Sequence, residues 1–103
     1  MRATSTPQAH VLKTDPRSWE DIDAGTKLVD LRPADRGFRP GDLLVLREYD
    51  PYQVTVDTET QVESPGKFTG RVCHRWVTHV LPGGQYGLED GYVALSILPT
   101  GER

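Results

Sequence analysis

The feature that most constrains the fold is a series of short apolar and β-branched runs, each ended by turn-forming residues. Pro82-Gly83-Gly84, for example, ends the longest of them. Turns rather than regular helices separate the runs, which argues against parallel βαβ winding. The 103 residues suit one domain. We predict a mainly β (α+β) domain of five or six mostly antiparallel strands, closed into a small barrel that protects its edges. The predicted strands include His10–Thr14, Lys27–Arg32, Leu43–Tyr49, Arg71–Leu81 and Tyr92–Leu98.

One short helix is predicted between the first two strands. Asp15 can cap its free amide groups, and Pro16 suits the first helical position because its missing N–H is not needed there. Trp19 and Ile22 mark one apolar face, and Gly25 can end the helix in the left-handed conformation. Trp19 is therefore interpreted as the anchor of the helix in the core.

The chain is predicted to form a single domain over residues 10–98. Polar tails are expected at 1–9 and 99–103. Residues 50–69 are polar and rich in turn formers, and we expect them to protrude as a loop or hairpin. Gln53–Asp57 would form one arm of that hairpin.

The charge is acidic overall but uneven along the chain. The net charge of −3 excludes a uniformly basic coat for nucleic acid. Residues 27–47 nevertheless carry five Lys or Arg against three Asp, whereas residues 50–63 carry four acids and no Lys or Arg. A compact anionic ligand at one face fits this pattern better than a long DNA helix.

The chain shows no sign of export or membrane insertion. It has one cysteine, no apolar run approaching the roughly 18 residues of a membrane span, and no apolar stretch after Met1. We therefore expect a cytoplasmic protein without membrane contact, and a monomer.

Metal and cofactor sites are not predicted. Cys73 and His74 are adjacent on a strand and point to opposite faces, while His79 lies about 20 Å from Cys73 at ~3.3 Å per residue. Cys73 is better explained as a small buried side chain. The glycine-rich residues 82–87 lack the lysine and the following helix of a phosphate-binding loop.

Charges are concentrated on one predicted strand and its exit loop, Gly25–Asp42. Asp30 and Arg32 share a face of the strand, so they can form an ion pair or grip a ligand together. Lys27 and Arg36 flank them. A solvated edge with ordinary ion pairs explains the same pattern equally well.

The segment Gly25–Arg32 resembles the G-x-K-x-x-E-x-R signature of the ASCH family in the PUA-like superfamily. Further motifs resemble an uncharacterised, largely bacterial and phage-borne branch of that superfamily, over residues 10–98. This chain departs from the pattern in having Asp30 instead of glutamate and a longer stretch between Asp50 and Thr69. The further motifs are His10–Lys13, Asp35–Phe38, Pro40–Asp42, Leu44–Asp50, Thr69–Arg71 and Gly91–Ile97.

This resemblance implies a PUA-like pseudobarrel with a cleft beside the first helix that accepts RNA or a modified nucleoside. Lys27, Asp30 and Arg32 would line the cleft. Its further neighbours would be Lys13, Arg36, Tyr49 and Tyr92.

Some ASCH-like proteins are enzymes, which implies a second function. One group deacylates acetylated cytidine, and a ribonuclease activity is also attributed to the family. Lys27 matches the signature lysine of the deacylating group, but Asp30 stands where that group has a hydroxyl residue. Asp30 would then act as a general base toward water and Lys27 would neutralise developing charge.

Three functions are therefore predicted from the sequence. The first is a small module that binds RNA or a nucleotide, without a cofactor. The second is a hydrolase acting on a modified nucleoside or on RNA, and the third is a modulator that binds another protein through residues 50–69.

Overall fold

The fold is a five-stranded mixed sheet with one short helix. The structure, a computed structural model, describes residues 6–101, so the outer parts of both predicted tails lie outside it. The strands have the spatial order β1-β3-β4-β5-β2, in which β1 runs parallel to β3 and the other pairs are antiparallel. The prediction of a mainly β fold with a short helix near the N-terminus is confirmed. The elements are β1 (Ala9–Thr14), α1 (Pro16–Asp23), β2 (Val29–Pro33), β3 (Leu43–Val56), β4 (Glu63–Pro82) and β5 (Tyr92–Pro99).

Helix α1 begins and ends as its sequence predicts. The Asp15 carboxylate accepts a hydrogen bond of 3.1 Å from the Ser18 N–H, and Gly25 follows the helix with φ +83°. Trp19 is buried and its Nε1–H donates to the Leu46 carbonyl at 3.0 Å. This bond ties the helix to β3, because a two-turn helix has little stability of its own.

The C-terminal end of α1 is held by an arginine from the sheet. Arg75 lies on β4, is buried, and donates from Nη2 to the Ile22 carbonyl at 2.7 Å. Cationic side chains stabilise the partly negative end of a helix. The helix is thus attached to the sheet at Trp19 and again at its last turn.

The core lies between α1 and the inner face of the sheet. Strands β3, β4 and β5 each supply alternate residues to it, as expected for a sheet with one buried face. The near-continuous apolar start of Leu43–Tyr49 is typical of a central strand, and β3 does lie between β1 and β4. The buried apolar residues are Leu12, Trp19, Ile22, Phe38, Leu44, Leu46, Cys73, Val77, Val93, Leu95 and Ile97.

The two edge strands, β1 and β2, are joined by one side chain. Arg32 on β2 donates from Nη1 to the Lys13 carbonyl and from Nη2 to the Thr14 hydroxyl, both at 2.9 Å. Its Nε donates to Asp30 Oδ2 at 2.8 Å. Arg32 therefore closes, through its side chain, the gap that strand pairing leaves between the edges.

The far ends of β3 and β4 form a two-stranded ribbon, here called the arm (residues 49–68). In this part the two strands pair only with each other among the described residues, from Tyr49–Phe68 to Val56–Glu63. Both strands are longer than the apolar runs predicted, which end at Tyr49 and begin at Arg71. Gln53–Asp57 was predicted as one arm of a hairpin, but the polar residues on either side gave no sign that β3 and β4 continue into it, because a ribbon without a buried face needs no sustained apolar alternation.

Candidate functional site

A groove opens where the end of β1 and the start of α1 face β2. Its volume is about 180 Å³. A second hollow of about 330 Å³ adjoins it and shares Lys13 and Arg32 with it. The groove is lined by Lys13, Thr14, Asp15, Ser18, Lys27, Asp30, Leu31 and Arg32.

Lys27 reaches back to the first turn of α1. Its Nζ donates to the Ser18 hydroxyl at 3.0 Å. Burial raises the pKa of the Asp15 carboxyl, but hydrogen bonds from Ser18 and the charge of Lys27 outweigh it, and the net pKa is lowered. The groove floor thus presents an ionised carboxylate, a hydroxyl and an ammonium group side by side.

Lys13 borders the groove from β1. Its Nζ lies 4.2 Å from the centroid of the Tyr49 ring, a cation–π contact. Within residues 6–101, neither Lys13 nor Lys27 has a carboxylate oxygen within salt-bridge distance of its Nζ. Two ammonium groups are therefore held in place without being neutralised by a direct ion pair.

Asp30 and Arg32, unlike Lys13 and Lys27, are held by an ion pair within the protein. The Asp30 and Arg32 side chains are 6% and 15% exposed, and they form an ion pair of 2.8 Å. Three of the five N–H donors of Arg32 are already used by β1 and Asp30. Arg32 can turn only its remaining donors toward a ligand.

The other predicted neighbours lie at different distances from this centre. Arg36 lines the adjoining hollow, and its Nε lies 3.4 Å from Asp35 Oδ1. Tyr49 touches the groove through Lys13. Tyr92 pairs with Pro33 and lines neither hollow. The structure thus brings Lys13, Lys27, Asp30 and Arg32 together, with Arg36 and Tyr49 at the margin and Tyr92 apart.

Sequence reasoning missed a second charged cluster beside α1. Glu48 is buried and accepts hydrogen bonds from Arg71 Nε at 2.9 Å and from the Thr69 hydroxyl at 2.6 Å. Its bond with Arg71 lowers the pKa of the Glu48 carboxyl; burial opposes this, and Thr69 adds to it. The Arg71 guanidinium also covers one face of the Trp19 indole, with 4.3 Å between its central carbon and the ring centroid. The signal was present in two motifs, Leu44–Asp50 and Thr69–Arg71, whose polar residues pair.

A third polar pair, His10 with Asp42, was also missed. His10 Nε2 lies 2.8 Å from Asp42 Oδ2, and both residues are buried. Burial raises the pKa of the Asp42 carboxyl, but hydrogen bonds from the Gln8 N–H, from His10 and from the Arg39 N–H outweigh it, and the pKa is lowered. The pair fixes the start of β1 against the turn before β3.

No group of three His, Cys, Asp or Glu side chains in residues 6–101 is arranged to hold a metal ion. Cys73 is buried, and burial raises the pKa of its thiol. The eight-residue α1, the helix of the described region, is too short to cross a membrane.

Comparison with known proteins places the chain in a family without assigning an activity. No curated protein sequence matches it. A family model described as a domain of unknown function (DUF3850) matches residues 9–97, from the start of β1 nearly to the end of β5. This agrees with the uncharacterised character that the motifs implied. Because the match spans most of the sequence, the chain belongs to the DUF3850 family of domains of unknown function.

Proposed function

We propose that this domain binds a short single-stranded RNA segment or a nucleotide in the groove. The observation that carries the proposal is the pair of lysines, Lys13 and Lys27, which flank the groove without salt-bridge partners in the described chain. Phosphate is the anion that such ammonium groups commonly bind. Tyr49 adds an aromatic ring beside Lys13.

The size and charge of the site support a compact ligand. The groove and hollow, about 180 and 330 Å³, suit one or two nucleotides rather than a duplex. Asp30 and Asp15 would repel a continuous phosphate backbone, whereas their oxygens can accept hydrogen bonds from a base or a ribose. The net charge of −3 also disfavours long nucleic acid.

An NMR titration of the labelled chain with mononucleotides and short oligoribonucleotides tests this proposal. We expect shifts at residues 13–18 and 27–32, and affinity reduced about fivefold or more by Lys27→Ala or Lys13→Ala. Lys67→Ala, which removes the same charge from the arm, is the matched control. Affinity that Lys27→Ala and Lys67→Ala lower equally would overturn the assignment of the groove. Arg32→Ala is a poor probe because Arg32 also joins the edge strands.

We also propose that the family is related to the ASCH group, on the basis of the Gly25–Arg32 signature. A hydrolase acting on a modified nucleoside is then the second candidate. The observation that favours it is the 3.0 Å contact between Lys27 Nζ and Ser18 Oγ, which places a hydroxyl beside Asp30 and Lys27 in the groove. Incubation with acetylated cytidine tests it: release of cytidine that Asp30→Asn abolishes while its amide spectrum remains that of the folded chain supports the hydrolase, and no release removes this substrate.

The proposal also includes the oligomeric state, the location and the cofactor requirement of the domain. We propose a monomer that acts in the cytoplasm without a cofactor. Size-exclusion chromatography with light scattering tests the monomer: a mass of 11.5 kDa is expected, and a mass near twice that value would overturn it.

A further inference from the structure

The arm exposes apolar side chains that are not part of the hydrophobic core. Val54, Val56 and Val62 are each between 45% and 58% exposed, and Tyr52 is 93% exposed. A two-stranded ribbon with no layer over it is marginal by itself. Valines concentrated on such a ribbon therefore call for an explanation other than core formation.

The two strands of the arm are nevertheless tied to each other by side-chain contacts. The Tyr49 hydroxyl donates to the Pro65 carbonyl at 3.3 Å, and the Thr55 hydroxyl donates to the Gly66 carbonyl at 2.7 Å. The Tyr49 ring packs edge-on against Phe68 with centroids 5.0 Å apart. A ligand binding to the arm would meet a surface that is already ordered, which reduces the entropy cost of binding.

One edge of the arm is suited to accept another strand. The Asp57 N–H donates to the Val62 carbonyl at 2.9 Å, which identifies this pair as hydrogen-bonded. Bonded and non-bonded pairs alternate in an antiparallel ladder, so Thr55 also faces β4. The backbone N–H and C=O groups of Val54 and Val56 then point away from β4, along the outer edge of β3. On the opposite edge Pro65 has no N–H to offer.

The charge of the arm indicates which kind of segment fits this edge. Residues 50–63 contain four carboxylates and no Lys or Arg. Two acidic arms would repel each other, which disfavours pairing with a second copy. A basic segment would be attracted, and its apolar residues would pack beside Val54 and Val56, which share one face of the arm. The acids are Asp50, Asp57, Glu59 and Glu63.

We propose that the arm binds an extended segment of a partner protein in which lysine or arginine alternates with apolar residues. The segment adds as a strand along Val54–Val56, so that backbone bonds supply affinity and the arm's carboxylates select its cations. This interaction is independent of the groove.

The test is an NMR titration of the full labelled chain with the peptide Lys-Val-Lys-Val-Lys-Val-Lys, using its Glu-Val counterpart as the charge control. We expect shifts at residues 52–57 with the lysine peptide only, weakening as salt rises. Val56→Lys should lower the affinity about fivefold or more. Leu98→Lys adds the same charge at an exposed site of β5 and should leave affinity within about twofold.

Several results would overturn the proposal. One such result is the absence of shifts in the arm at millimolar lysine peptide. Others are equal affinity for the two peptides and equal effects of Val56→Lys and Leu98→Lys. Shifts confined to the exposed acids of α1, which are Glu20, Asp21 and Asp23, would also overturn it. Because Val56 is exposed on the arm, the amide spectrum of the sheet reports whether Val56→Lys leaves the fold intact.

Discussion

Removing the Arg32 side chain from β2 is expected to destabilise the fold far more than removing that of Arg36 in the loop after β2. Arg32 donates to Asp30, to the Lys13 carbonyl and to the Thr14 hydroxyl. In Arg32→Ala the Asp30 carboxylate, 6% exposed, loses its ion-pair partner. The variant also loses the side-chain link between β1 and β2.

The size of this effect follows from burial. Breaking a buried ion pair by removing one partner costs about 3–5 kcal/mol, and the 15% exposure of Arg32 places this pair at the lower end. The two bonds to β1 add about 1 kcal/mol each. We therefore expect Arg32→Ala to lower the free energy of unfolding by about 3–5 kcal/mol. Arg36→Ala removes an exposed pair of 3.4 Å and should cost about 0.5 kcal/mol or less.

Urea denaturation followed by tryptophan fluorescence measures both variants, because buried Trp19 reports on the packing of α1. A double-mutant cycle with Asp30→Ala isolates the ion pair. The double variant should lose less than the sum of the single losses, with a coupling energy of about 1–3 kcal/mol. If Arg32→Ala were no more destabilising than Arg36→Ala, the side-chain link between the edges would have no energetic importance.

Three further predictions concern pH, backbone conformation and thiol reactivity. The pKa of Asp42 is lowered in the folded state, so its contribution to the free energy of unfolding is complete above its unfolded pKa of about 3.9 and is lost as pH falls through the folded value. In acid unfolding curves, the wild type should therefore lose stability more steeply below pH ~4 than Asp42→Asn does. Gly66 and Gly70 both have φ +95°, but a Cβ would overlap the Tyr49 ring only at Gly66. Urea titrations should therefore show Gly70→Ala losing about 1 kcal/mol and Gly66→Ala about 1–3 kcal/mol more. Burial raises the pKa of Cys73, so a thiol reagent at pH ~8 should modify it at least about tenfold faster in urea than in buffer.

The sequence allowed the helix and the central strands to be predicted because local chemistry determines them. Asp15 and Pro16 specify where α1 begins, and the apolar run after Leu43 specifies a strand with neighbours on both sides. The turn before it has local causes too: Pro40 and Gly41 suit the two central positions of a type II turn, and in the structure Gly41 has φ +96° and the Asp42 N–H donates to the Arg39 carbonyl. These features need no knowledge of distant residues.

Local sequence did not allow us to predict the parallel pairing of β1 with β3 or the polar clusters. Each depends on residues far apart in the chain, such as His10 with Asp42 or Glu48 with Arg71. One sequence gives no information on which acid meets which base. A hairpin was predicted over residues 50–69, but the unbroken continuation of β3 and β4 into it was not, because no buried face imposes alternation beyond Tyr49.

The clusters change how the charged motifs should be interpreted. Asp30 with Arg32, Glu48 with Arg71, and His10 with Asp42 are polar pairs in which the carboxylate is buried and its partner satisfies it. Charge concentrated in a motif is therefore weak evidence of a ligand, because a buried carboxylate needs such a partner whether or not a ligand binds. Lys13 and Lys27 differ, since they line the groove without an ion pair in residues 6–101. Ligand binding should accordingly depend on these two lysines, whereas folding should depend on Asp30 and Arg32.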